Sequence, residues 1–260
     1  MSEPPDDPMK AEFDTVAEWT AEVALDLGPE HFIAAGCRGS GSPSTLRWLI
    51  DRLDLSAGDR MLDCGAGVGG PAAFAAQECG VVPVLTDPEA GACRAAQGLF
   101  GFPVVRAASD LPFATATFDA VWSLGVLCTV PDQLHLLREL HRVLRPAGRL
   151  GLLVFVARRV PLTDQPTGND FPTEDRLRDL LADAQLQIES SATMPEFAVS
   201  PELWQERVDA VETELVRRHS DDPVWQTAAR QSELIGSLLE RGELAGMLIV
   251  ASPAARSTED

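Results

Sequence analysis

The sequence has no tyrosine, one lysine (Lys10) and four histidines in 260 residues. Its 21 basic side chains face 40 acidic ones, for a formal charge of −19. A field of that sign repels phosphate backbones and anionic membrane surfaces. The arginines are scattered, so nucleic acid is not expected as a partner. The five cysteines, Cys37, Cys64, Cys79, Cys93 and Cys128, form no C-x-x-C pair and are expected as reduced thiols. No His/Cys/Asp grouping has zinc-ligand spacing, and no metal is expected. No window reaches the roughly 18 uncharged apolar residues of a spanning helix, so no membrane partner is expected either. The stretch Met1 to Pro8 is acidic and proline-rich, without the basic and apolar regions of a signal peptide, and a cytoplasmic location is the expectation.

What is present is a globular composition, 45% hydrophobic and 23% charged. Residues 1–10 and 253–260 read as polar tails. Residues 11–252 read as one domain: a helical cap over 11–55, a core over 56–160, and a second side with a helical insertion over 161–243. From Ala11 to Leu27, Phe13, Val16, Trp19, Val23 and Leu27 share a helical face. A glycine-rich loop, Gly36–Pro43, follows, and Ser44 is placed to cap the helix that runs to Leu53.

From Arg60 the pattern alternates. Strands are predicted at Arg60–Cys64, Val81–Thr86, Pro103–Arg106, Phe118–Ser123 and Arg149–Val156, with helices at Pro71–Cys79, Ala90–Leu99 and Gln133–Leu144. The last of these places Leu134, Leu137, Leu140, His141 and Leu144 on one side. A helix at Thr173–Ala184, a strand at Leu186–Ser191, two helices at Pro201–His219 and Pro223–Arg241, and a strand at Leu244–Ala251 complete the chain. This alternation predicts an α/β fold, a doubly wound, seven-stranded, mostly parallel sheet with helices on both faces. The two late helices would overhang the sheet edge where ligands bind.

The informative stretch is Met61-Leu-Asp-Cys-Gly-Ala-Gly-Val-Gly-Gly70, between a strand and a helix. Glycines here let a ligand touch the backbone. The spacing Gly65-x-Gly67-x-x-Gly70 with Asp87 downstream also satisfies the dinucleotide fingerprint, which keeps an NAD(P)-dependent oxidoreductase as an alternative. Asp63 argues against it: a carboxylate so near the turn opposes a pyrophosphate and suits a ligand carrying an ammonium and a sulfonium.

At this point the sequence resembles the class I S-adenosylmethionine-dependent methyltransferases, in the group that methylates small molecules such as ubiquinone precursors, sterols and sugars. The resemblance rests on Leu62–Ala72, Asp87, Asp110-Leu-Pro-Phe113, Phe118-Asp-Ala-Val121 and Leu140–Gly148, in family order, and covers roughly residues 44–157. It implies a Rossmann-like fold with S-adenosylmethionine as cofactor and S-adenosylhomocysteine as product. Asp63, Cys64, Gly65, Ala66 and Gly67 would surround the methionine part, Asp87 with Pro88 would hold the ribose, Ala108 and Ser109 would meet the adenine, and Ser123 and Leu124 would floor the site near the methyl. One departure stands out: the family's adenine-binding aspartate is replaced by Ala107.

The implied reaction is an in-line displacement by an acceptor oxygen, nitrogen or carbon on the sulfonium methyl, in which the protein mainly positions the partners. No general base is nominated firmly; His31 is a weak candidate. Trp19, Phe32, Phe197 and Trp204 are the expected apolar walls of the acceptor pocket. The partner is a small-molecule acceptor, and the chain is expected as a monomer or homodimer. The missing base and Ala107 keep open a second alternative, a cofactor-binding protein of the same fold that does not methylate.

Overall fold

The structure, a computed structural model, describes residues 11–194 and 200–254. Its centre is a seven-stranded sheet of order β3-β2-β1-β4-β5-β7-β6. The strands are β1 (Arg60–Cys64), β2 (Val82–Asp87), β3 (Val104–Arg106), β4 (Phe118–Leu124), β5 (Leu144–Ala157), β6 (Leu186–Thr193) and β7 (Leu244–Pro253). The first five run parallel; β7 is antiparallel to both β5 and β6. The strand order reverses between β1 and β4, and the cleft beyond that switch point is where open α/β sheets take ligands.

The helices are α1 (Ala17–Leu27), entered through a π-helical segment Ala11–Val16, α2 (Phe32–Gly36), α3 (Pro43–Leu53), α4 (Gly70–Cys79), α5 (Ala90–Phe100), α6 (Gln133–Val143), α7 (Glu174–Asp183), α8 (Glu202–His219) and α9 (Pro223–Glu240). Two apolar layers lie on either side of the sheet: one gathers Leu136, Leu137 and Leu140 of α6 with Leu177 and Leu181 of α7, the other Leu46 and Leu49 of α3 with Phe74 of α4. Trp122 at the middle of β4 is fully buried in the second. Burying a side chain of that size stabilises by roughly 2–3 kcal/mol or more.

Three local expectations are corrected. Ser42, not Ser44, is the N-cap of α3: Pro43 takes the first helical position, and Ser42 and Thr45 form a reciprocal capping box. The face of α6 is rotated, with Gln133, Leu136, Leu137, Leu140 and Val143 buried and Leu134 and His141 only partly so. Pro146-Ala-Gly148 does not separate helix from strand. β5 begins at Leu144, opposite Phe118, and its register shifts before Arg149 pairs with Ala120. The predicted tails lie outside the described residues except at the C-terminal side, where β7 runs to Pro253 and the Ala254 amide donates to Gln185 O at 2.8 Å.

Candidate functional site

The turn after β1 is held by backbone bonds to its neighbour strand. The amides of Gly65 and Ala66 both donate to Thr86 O, at 2.8 and 2.9 Å. The Gly67 amide donates to Asp87 Oδ2 at 2.8 Å, and the Glu89 amide donates to Asp87 Oδ1 at 2.9 Å. Asp87 is therefore fixed at the end of β2 with one lone pair of each oxygen still free to accept. It is 5% exposed, and burial raises its pKa despite those two amides.

Gly67 has φ +53°, and a Cβ there would meet no atom within 4 Å. That space is a cleft of about 80 Å³, roofed by Phe13, Val16, Ala17 and Thr20 and floored by Ala66, Gly67 and Val68. Gly70 is different. A Cβ on it would lie 2.3 Å from Gly36 C, so α2 and α4 cross with their backbones touching. Gly67 leaves room for a ligand, whereas Gly70 lets two helices pack.

Asp63 lies deeper, 2% exposed, and its Oδ2 has no hydrogen-bond partner. Burial lifts its pKa to about 7, with the Asp87 charge adding to the shift; the Trp122 indole and the Ala72 amide oppose it. Trp122 Nε1 itself makes no hydrogen bond of normal geometry. A buried carboxylate with a spare oxygen is stabilised by a nearby cation. A fixed aspartate at the strand end, hydrogen-bonded to the open glycine of the turn, and a buried carboxylate on the strand before it are chemistry suited to a ligand with a cationic amino-acid end and a ribose.

The other sequence-predicted residues fall around this centre. Cys64 is buried and its thiol is pushed up to about 12 by burial, which leaves it inert. Ser123 Oγ donates to Cys64 O at 2.9 Å and ties the ends of β4 and β1 together. Leu124 closes β4, and Gly125 after it lies under the glycine-rich loop, 3.3 Å from Gly39 O to the position of a Cβ. Pro88 O accepts from Arg106 Nε at 2.7 Å, and the Ala107 amide donates to Asp87 O at 3.0 Å, so the bend holding Ala108 and Ser109 is tied to the end of β2. Asp110 instead points outward, 2.7 Å from His135 Nε2.

The expected acceptor walls do not gather in one place. Trp19 stacks on His219 with ring centroids 3.9 Å apart, Phe32 meets Phe100 edge-on at 6.3 Å, and Trp204 meets Phe74 edge-on at 6.3 Å. Phe197 lies outside the described residues. His31 lies between α1 and α2 with its Nδ1 buried and unpartnered. None of Trp19, Phe32, Trp204 and His31 lines the cleft or the larger cavity of about 260 Å³ that adjoins it at Val16 and Arg38. That larger cavity is walled by Trp225, Ala228 and Ala229 of α9 and Glu212 of α8. The only sequence signal for it is a tryptophan followed at helical spacing by two alanines.

Residues 62–152 match the sequence profile of a family described as methyltransferase domain. The match runs from β1 into β5. Methyltransferase GfsG of Streptomyces halstedii is 36% identical over 119 residues, covering 42% of each chain. The 27-O-demethylrifamycin SV methyltransferase of Amycolatopsis mediterranei (strain S699) is 36% identical over 140 residues, 51% of this chain and 49% of that protein. The chain thus spans about half or less of the length of the curated relatives it matches. The fold is also that of Haemonchus contortus phosphoethanolamine N-methyltransferase 2, solved with S-adenosyl-L-methionine: TM-score 0.64 at 18% identity, covering 81% of this chain and 52% of that one. Among the described residues there is no helix long and apolar enough to cross a membrane, and no group of three or more His, Cys, Asp or Glu that would hold a metal.

Proposed function

We propose that the chain binds S-adenosylmethionine and transfers its methyl group to a small or medium organic acceptor, with S-adenosylhomocysteine as product. The observation that carries this reading is the pairing of Asp87 with the Gly67 amide beside an open glycine floor. Asp87 would accept from the ribose hydroxyls through the lone pairs its two amide donors leave free. Asp63, with an unpartnered oxygen, would balance the ammonium end. The cofactor supplies an activated methyl on a sulfonium.

The chain's own part is positioning and exclusion of water. The segment Phe13–Thr20 roofs the cleft, and the loop around Gly39 lies over the end of β4. The adenine side has no carboxylate at Ala107, so the base would meet backbone groups and Ser109. A cytoplasmic location and a monomeric or homodimeric state belong to the same reading. Incubation with methyl-labelled S-adenosylmethionine and a metabolite extract tests it. Label should move into an extractable product only when the protein is present. Retained S-adenosylhomocysteine binding with no movement of label would leave a cofactor-binding protein and overturn methyl transfer.

A further inference from the structure

The larger cavity, about 260 Å³, is built entirely from segments outside residues 62–152. Its back wall is the Trp225 ring, 7% exposed. Ala228 and Ala229 follow at i+3 and i+4, on the same side of α9, and leave space along the indole. Three charged side chains line it: Arg38, Glu212 and Glu233. Arg38 is committed, with its guanidinium 3.3 Å from Glu212 and 6.0 Å from the centroid of the Trp225 ring. Glu233 has no ion-pair partner among the described residues and is exposed at the rim.

These groups set the sign of the occupant. The face of an indole is the negative end of its quadrupole and attracts cations. One carboxylate is neutralised by Arg38 and the other is free, so the wall carries one uncompensated negative charge. Arg38 itself shows the preference, since a cation already rests between a carboxylate and the ring. An anionic guest would face Glu233 with nothing to offset it, and the −19 charge of the whole chain repels it on approach. The volume is near the lower end for small-molecule clefts, so the guest is compact.

We infer that this cavity takes a compact organic cation, its apolar body among Trp225, Ala228 and Ala229 and its ammonium toward Glu233. The cation site does not depend on the methyl-transfer reading. The cavity adjoins the cofactor cleft at Val16 and Arg38, so its occupant lies beside that cleft.

Calorimetry with tryptamine and with indole-3-propionate, each with and without S-adenosylhomocysteine, tests it. Tryptamine should bind, and indole-3-propionate, with the same ring and opposite charge, at least tenfold more weakly. Glu233→Gln should weaken tryptamine at least threefold, a factor suited to a rim charge. Ala229→Phe, which fills the space beside the indole, should abolish tryptamine binding. Both variants should bind S-adenosylhomocysteine as the unmodified chain does, which shows that they are folded. The inference is overturned if neither probe binds, if the anionic one binds as well, or if tryptamine affinity is indifferent to both substitutions. If S-adenosylhomocysteine fails to bind, methyl transfer is the reading that falls; tryptamine binding in its absence still decides the cavity.

Discussion

The Gly67 amide donates to Asp87 Oδ2 across 2.8 Å, joining the turn after β1 to the end of β2. The same carboxylate thus holds the turn and, in the proposed reading, keeps a lone pair on each oxygen for the ribose. Asp87→Ala should lower S-adenosylhomocysteine affinity at least tenfold, about 1.4 kcal/mol or more. Calorimetry reads this directly, and an unchanged affinity would refute the ribose role.

Gly67 and Gly70 should separate binding from folding. Gly67→Val places a branched side chain in open space at φ +53°. It should abolish cofactor binding while circular dichroism shows a folded chain with a reduced Tm, since left-handed backbone costs a non-glycine residue roughly 1–2 kcal/mol. Gly70→Val drives its side chain into the backbone of Gly36 and should prevent the native fold. The reverse pattern would mean that the floor is structural.

Asp63 makes stability fall as pH rises. Its native pKa of about 7 lies above the ordinary 3.8 of an aspartate, so between those values the folded state holds a proton the unfolded state has lost. Its contribution is complete below about pH 4 and declines up to about pH 7, by at most about 4 kcal/mol. Other carboxylates, such as Glu139 beside Arg142, shift in the opposite direction. The informative quantity is therefore the difference between the unmodified chain and Asp63→Asn in denaturant unfolding at pH 5 and pH 8. The variant should gain relative stability at pH 8. A cationic ligand favours the ionised carboxylate, so cofactor affinity should also rise from pH 6 to pH 8 and lose that dependence in Asp63→Asn.

Asp14 reaches from the N-terminal segment to the Gly91 amide, at the first turn of α5. It acts as a long-range cap on that helix. Asp14→Ala should cost about 1 kcal/mol of stability, on the scale of lost N-caps, and speed cofactor dissociation because the roof loses an anchor. Stopped-flow release of S-adenosylhomocysteine checks the second effect. An unaltered release rate would confine Asp14 to a structural role.

The central sheet was legible because its signals are local. Apolar runs ended by glycine or by Asp87-Pro88 mark strand ends, and β1, β2, β4 and their helices fall within a residue or two of expectation. The cap of α3 lies two residues before Ser44 because Pro43 takes the first helical position and pushes the cap back to Ser42. The α6 face departs from the expected one because Leu134 and His141 are only half-covered by neighbours, which periodicity does not register. The walls beyond the cleft were least legible. Stacking of Trp19 on His219, and the approach of Arg38 to Glu212 and Trp225, arise only when segments nearly two hundred residues apart meet.

The helical excursion between β6 and β7 is stitched to the first forty residues by Arg218 to Asp26 at 2.7 Å, Arg38 to Glu212 at 3.3 Å and the Trp19–His219 stack. In any recombination with a relative, those two stretches form one inherited unit. Exchanging either alone breaks every one of these seams, whereas moving both together keeps them and leaves the contacts of the first stretch with α4 and α5 to be matched.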